Sequence, residues 1–145
     1  MNLKFSTLLL FIFTLSFSQS LKVMSFNIRL SLDSDKENSW THRKKEAIDL
    51  LSYYQPDYFG VQEAVPEQMR DIKNGLKNYN YVGVGRDDGK EKGEFSALFY
   101  DTRQLEGLRS GTFWLSDTPE KPSIGWDAAY NRGSTYALFR HKRSS

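Results

Sequence analysis

The stretch Gln55-Pro56-Asp57 constrains what this chain can fold into more than any other. Proline has no amide N–H and fixes φ, so a helix arriving at residue 54 has to stop there. Upstream, Ala47, Ile48, Leu51 and Tyr54 recur at helical spacing, which predicts a helix over 40–54 with Ser39 as its N-cap. Downstream, Tyr58-Phe59-Gly60-Val61-Gln62 is a short apolar run of strand character. Pro66 suits the first turn of a second helix with Met69, Ile72 and Leu76 on its apolar face. Residues 21–28, Leu-Lys-Val-Met-Ser-Phe-Asn-Ile, read as an earlier and largely buried strand, followed by a polar loop through Ser39. Strand, helix, strand, helix is a βαβ unit, and it demands a sheet with helices against it.

Shorter strands are predicted over 79–84, 95–100, 104–115 and 135–139, with a charged, glycine-containing hairpin loop at 86–93. Residues 116–131, which hold Pro119, Pro122 and Gly125, read as irregular. At 145 residues the chain has room for one domain at most. Residues 1–18 read as a signal peptide: Lys4 precedes an apolar run from Leu8 to Leu15, and Ser16-Phe17-Ser18 supplies the small residues of a cleavage site. The apolar run is shorter than the roughly 20 residues a membrane-spanning helix needs. The expected product is a secreted or periplasmic domain over 19–145 with no transmembrane segment after cleavage. There is no cysteine, hence no disulfide partner, and the fold must rest on its core. The formal charge of +2 drops to +1 without Lys4, which is no electrostatic footprint for nucleic acid.

Glu63 follows Val61-Gln62 where the second strand ends, and Asn27 and Arg29 stand at the end of the first. Ligands of open α/β sheets gather at the carboxyl ends of strands. A single carboxylate there suits Mg²⁺, whose shell is completed by water and substrate phosphate. Packing alone offers a second explanation, a helix-entry glutamate and a loop-capping asparagine. His42, beside Arg43, Lys44 and Lys45, reads as part of a solvated face, and His141 as part of a basic tail. Asp127 is a possible groove residue or a turn former. Trp114 and Trp126 read as core or groove wall.

Ser25-Phe26-Asn27-Ile28-Arg29 followed by Asp57-Tyr58-Phe59-Gly60-Val61-Gln62-Glu63 resembles the endonuclease/exonuclease/phosphatase superfamily, the deoxyribonuclease I-like proteins. Gly93-Glu94-Phe95-Ser96-Ala97-Leu98-Phe99-Tyr100, Phe113-Trp114-Leu115-Ser116 and Gly125-Trp126-Asp127-Ala128-Ala129 are similar to its secreted bacterial members. The likeness runs from residue 21 to about 139. It implies an α/β fold, the N-terminal half of a four-layer α/β/β/α sandwich. It implies a metal-dependent phosphoesterase (phosphodiesterase, nuclease or phosphatase) using Mg²⁺, with Mn²⁺ as a substitute. Glu63 matches the metal-binding glutamate and Asn27 the asparagine beside it at the phosphate, so the resemblance implies Glu63 and Asn27 at the metal and Asn27, Glu63 and Glu94 as catalytic residues. Arg29 and Arg132 match substrate-binding arginines, and Glu94 a carboxylate that orients a catalytic histidine. Around Arg132 the usual flanking proline and apolar residue are missing. The family's Asn-Thr-His-x-Asp, Asp-x-Asn and terminal Asp-His motifs find no match in residues 1–145. The expectation is therefore a C-terminally incomplete domain, inactive by itself. Nucleic acid, a sugar phosphate or a phospholipid head group would each serve as the phosphoester substrate. Two other readings stand beside this one: a secreted, non-catalytic binding module that retains the fold, and a nocturnin-like RNA exonuclease.

Overall fold

A computed structural model describes residues 20–142. Strands β1 (Val23–Asn27) and β2 (Tyr58–Ala64) pair in parallel, with Val23 opposite Tyr58 and Asn27 opposite Gln62. The helix joining them, α1 (Trp40–Tyr54), has the predicted bounds. It ends at Gln55, which turns left-handed (φ 45°) and gives its N–H to the Leu51 carbonyl at 3.0 Å. The Ser39 hydroxyl does not cap the helix backbone. It lies 3.2 Å from His42 Nδ1, and the Ser39 carbonyl starts the helix by accepting from His42 N and Arg43 N. The polar loop before it contains a 3-10 helix, Asp33–Asn38, kinked at Lys36.

Helix α2 (Pro66–Gly75) leads to β3 (Tyr79–Val82) and β4 (Phe95–Asp101), then β5 (Leu105–Trp114) and β6 (Gly133–His141). The first sheet has the order β1-β2-β4-β3, and the second consists of β5 and β6. Alternation sorts the faces. Phe59, Val61, Ala97 and Phe99 point to the helices and are buried against Leu51, Met69 and Ile72. The Phe59 and Phe99 rings stack in parallel with centroids 5.0 Å apart. On the opposite face, Tyr58 and Tyr100 meet the Phe139 ring of β6 at 6.0 and 4.9 Å. The described residues thus build a helix layer, a four-stranded sheet and a two-stranded second sheet. The α/β class and the partial sandwich are as expected.

Strand β1 is less buried than its composition suggests. Val23 is 56% exposed, and only Met24 and Phe26 lean on the core. Among the described residues it is an edge strand, paired on one side only. The apolar surface expected of a partial sandwich is present on the second sheet, where Phe113, Tyr136 and Leu138 are exposed. The N-terminal half of the sheet is closed by a buried polar knot. Asp101 takes a two-pronged contact from Arg103, and Tyr79 OH donates to the Pro56 carbonyl at 2.6 Å. The predicted signal peptide lies outside the described residues. Among those residues, no helix is long and apolar enough to cross a membrane.

Candidate active site

The register between β2 and β4 slips between Val61 and Ala64, and inside that irregularity Glu63 takes a left-handed φ of 62°. A β-bulge re-aims side chains. A left-handed backbone costs a residue with a Cβ about 1–2 kcal/mol, so such positions concentrate where function is built. Two hydrogen bonds hold the carboxylate. Oε1 accepts from Asn27 Nδ2 at 2.9 Å and Oε2 from Leu30 N at 3.2 Å. Together, Asn27 first and Leu30 second, they hold the Glu63 carboxyl below the ordinary glutamate range, so it is ionised at neutral pH.

Asn27 is fixed from the other side as well, its Oδ1 accepting from Arg29 N at 2.9 Å. Turning the amide over would set its NH₂ against the Arg29 N–H and its oxygen against the Glu63 carboxylate, so only one orientation fits. Arg29 is itself left-handed (φ 60°). Its Nε and Nη2 form a fork on Asp35, both at 2.7 Å, leaving Nη1 outside the fork. Its carbonyl is held by Gln68, a fully buried residue in the first turn of α2. Gln68 Nε2 donates to Arg29 O at 2.8 Å while Oε1 accepts from Val65 N at 3.1 Å. One glutamine thus ties the left-handed Arg29 to Val65, two residues beyond Glu63.

Between the two sheets, at the carboxyl ends of β1 and β2, lies a polar cavity of about 250 Å³, lined by Asn27, Glu63, Glu94, Ser96, Asn131 and Arg132 among others. It opens into a wider compartment of about 540 Å³ that Arg29, Leu30, Leu32 and Tyr130 also line. The expected site residues are therefore brought to one cleft, with Arg29 in the outer compartment. Asp127 lines neither compartment. Trp126 is exposed, whereas Trp114 is buried and donates from Nε1 to the Arg86 carbonyl at 2.8 Å. His42 lies on an exposed face, and His141 lines a different cavity at the far end of the sheet.

Arg86 and Tyr130 escaped the sequence reading. The guanidinium of Arg86 reaches Glu94 at 2.8 Å and stacks over the Tyr130 ring at 5.4 Å. Among the described residues, Glu94 has Arg86 as its ionic partner. The loop that carries Arg86 is folded tightly back on itself. A Cβ on Gly85 would lie 2.2 Å from the Lys92 carbonyl, and Gly93 has φ +81° with Asp87 against it. Those two glycines were the available signal, because glycines flanking a charged loop mark a close chain approach. Gln68 could have been found as a glutamine at the third position of a helix that Pro66 begins.

Three arginines and three carboxylates meet here. Arg29 is matched by Asp35 and Arg86 by Glu94. Among the described residues, Arg132 has no acidic partner in an ion pair. The site thus combines an ionised carboxylate with an exposed guanidinium that is not neutralised. No group of three or more His, Cys, Asp or Glu poised to hold a metal occurs among the described residues. Mg²⁺ does not require one: it binds through one or two carboxylates and keeps water and phosphate oxygens as its other ligands. Glu63, ionised and with lone pairs beyond its two hydrogen bonds, fits that donor chemistry.

A structure of an endonuclease/exonuclease/phosphatase protein from Bacteroides vulgatus superposes on this chain with a TM-score of 0.84 at 38% identity, covering 86% of this chain and 48% of the other. The shared fold and sequence place the chain in the endonuclease/exonuclease/phosphatase superfamily. Within it, the chain is similar to the mannosyl-6-phosphatase of Bacteroides thetaiotaomicron, with a TM-score of 0.84, 42% identity and the same coverage of 86% and 48%. The catalytic domain of human nocturnin, solved with a bound sulfate anion, shares the fold at a TM-score of 0.64 and 17% identity, over 86% of this chain and 45% of that one. This chain spans about half the length of these structures. No family model matches it.

Proposed function

We propose that this chain is part of a metal-dependent hydrolase of phosphoester bonds, and that Glu63 holds its Mg²⁺ or Mn²⁺. One observation carries the reading: an ionised glutamate on a strained bulge in the same cleft as Arg132, which has no acidic partner among the described residues. The ion, when bound, supplies Lewis-acid stabilisation of charge on the phosphoryl oxygens. The chain's own residues prepare the site. Asn27 and the Leu30 amide fix the Glu63 carboxylate in its charged form. Arg132 offers a planar fork to phosphate oxygens, and Nη1 of Arg29 offers a further donor from the outer compartment. Glu94, ion-paired to Arg86, is the carboxylate we assign to orienting a proton-transferring group. A phosphoester of a sugar is the favoured substrate, supported by 42% identity to a mannosyl-6-phosphatase. The groups that activate water are proposed to come from further sequence, and the 145-residue polypeptide to be inactive alone.

A titration of the purified chain with Mn²⁺, followed by electron paramagnetic resonance, tests the first part. Weak stoichiometric binding that Glu63→Ala removes is the expected result, and binding unaffected by that substitution would overturn the assignment. Turnover of bis-nitrophenyl phosphate with Mg²⁺, abolished by Glu63→Ala, would refute the need for further residues. The second reading, a non-catalytic binding module, draws on the Arg86–Glu94 pair, which ties up the second acidic residue of the cleft. It predicts phosphate binding that is indifferent to the metal. Export through residues 1–18 is a further proposal, checked by whether the protein recovered outside the cytoplasm begins near Gln19.

A further inference from the structure

The two compartments of the cleft differ in the side chains they present. Beside Val84 and Gly133, the inner one presents Asn27, Glu63, Ser96, Thr112 and Asn131. The outer one shares Glu63, Arg86, Glu94 and Arg132 with it and adds Leu30, Leu32 and Tyr130. Leu32 is 42% exposed and Tyr130 is 60% exposed, so their apolar surface faces the opening and not the core. The Tyr130 ring is not a loose appendage. One face is covered by the Arg86 guanidinium, which Glu94 holds by an ion pair, while Asn131 Nδ2 donates to the Arg86 carbonyl at 3.3 Å. Both the ring and the residue after it are thereby tied to the same arginine.

We propose that Tyr130 is a specificity-determining residue: its outer face stacks on a ring in the alcohol part of the substrate while the phosphate lies in the inner compartment. This rests on the phosphoester reading above and adds which part of the substrate is selected. A ring with a flat, C–H-rich or π face gains contact against an aromatic wall, and a cation behind that wall keeps the aromatic in place. Stacking of this kind has the same effect for a hexose face and a nucleobase, so the shared chemistry is a ring-bearing phosphomonoester or diester. Leu30 and Leu32 line the same compartment and add apolar surface that a charged or strongly hydrated group would avoid. A ringless phosphoester fills the inner compartment and leaves the wall unused.

The test measures dissociation constants of the purified 145-residue chain in Mg²⁺ for glycerol phosphate, a hexose 6-phosphate and a nucleoside 5′-monophosphate, by calorimetry and tyrosine NMR shifts. The ring-bearing ligands are expected to bind about tenfold tighter than glycerol phosphate. Tyr130→Ala should bring that ratio to near one and Tyr130→Phe should preserve it. A preference for the hexose over the nucleotide, or the reverse, identifies which ring the wall accepts. Equal affinity for ringed and ringless ligands, or a ratio unmoved by Tyr130→Ala, refutes the wall while leaving the phosphoester reading intact. Failure to bind any of the three phosphates refutes both.

Discussion

Replacing Glu63 by alanine and, separately, by glycine distinguishes the hydrogen bonds of this residue from the strain of its backbone. Either substitution deprives Asn27 Nδ2 and Leu30 N of their acceptor. At about 1 kcal/mol for each bond, alanine should cost about 2 kcal/mol. Glycine loses the same bonds but occupies φ 62° without a Cβ clash. The relief is about 1–2 kcal/mol, and the greater freedom of glycine in the unfolded chain offsets about 0.5–1 kcal/mol of it. Glu63→Gly should therefore be more stable than Glu63→Ala by about 0.5–1 kcal/mol. That ordering is the reverse of what an ordinary strand position gives. In a domain of this size it corresponds to a melting temperature higher by roughly 2–5 °C. Glu63→Gln is a useful third variant. Whichever way its amide turns, the NH₂ meets either Asn27 Nδ2 or Leu30 N, so it should lose about 1 kcal/mol despite its matching shape. Thermal and urea unfolding of the purified variants measure all three. An alanine variant as stable as the glycine variant would refute the claim that the bulge stores strain at Glu63.

The brace beneath the site should show in Gln68→Leu, which removes the partner of the partly buried Arg29 O and Val65 N and should cost about 1–3 kcal/mol in urea unfolding. Tyr79→Phe removes the donor to the Pro56 carbonyl. Burial first, and Asp101 second, push the Tyr79 hydroxyl up to about 12, so the donor is present across the working pH range and its loss should cost about 1–2 kcal/mol. Glu63 has a folded pKa below its unfolded value, so its contribution to stability is complete above about 4.5 and is lost as pH falls through the folded value. The urea midpoint of Glu63→Gln should accordingly fall less steeply than wild type below that pH, and parallel curves would count against the assignment. Arg132→Ala should change stability by no more than about 0.5 kcal/mol, since no ion pair is broken, yet weaken phosphate binding about tenfold by calorimetry.

The sequence determined the βαβ unit because its signals are local. Pro56 stops α1 and Pro66 starts α2, and the apolar spacing of Ala47, Leu51, Met69 and Ile72 turns one face of each helix to the sheet. Asn27, Arg29 and Glu63 were legible for the same reason: each is the polar residue at the end of an apolar run. What the sequence could not decide is how those ends are aimed. The left-handed turn at Glu63 lies in a slip between β2 and β4, that at Arg29 is held by a glutamine on another element, and both involve contacts between segments more than thirty residues apart. The exposure of Val23 depends on strand order, which places β1 at an edge. Around Arg86, Gly85 and Gly93 signal a close chain approach, but nothing local announces that Glu94 and Tyr130 will close on its guanidinium. The elements and the chemical types came from local pattern. The division of the cleft, and which arginine stays without an acidic partner, came only from long-range packing, since charge pairing and backbone strain are properties of assembled surfaces.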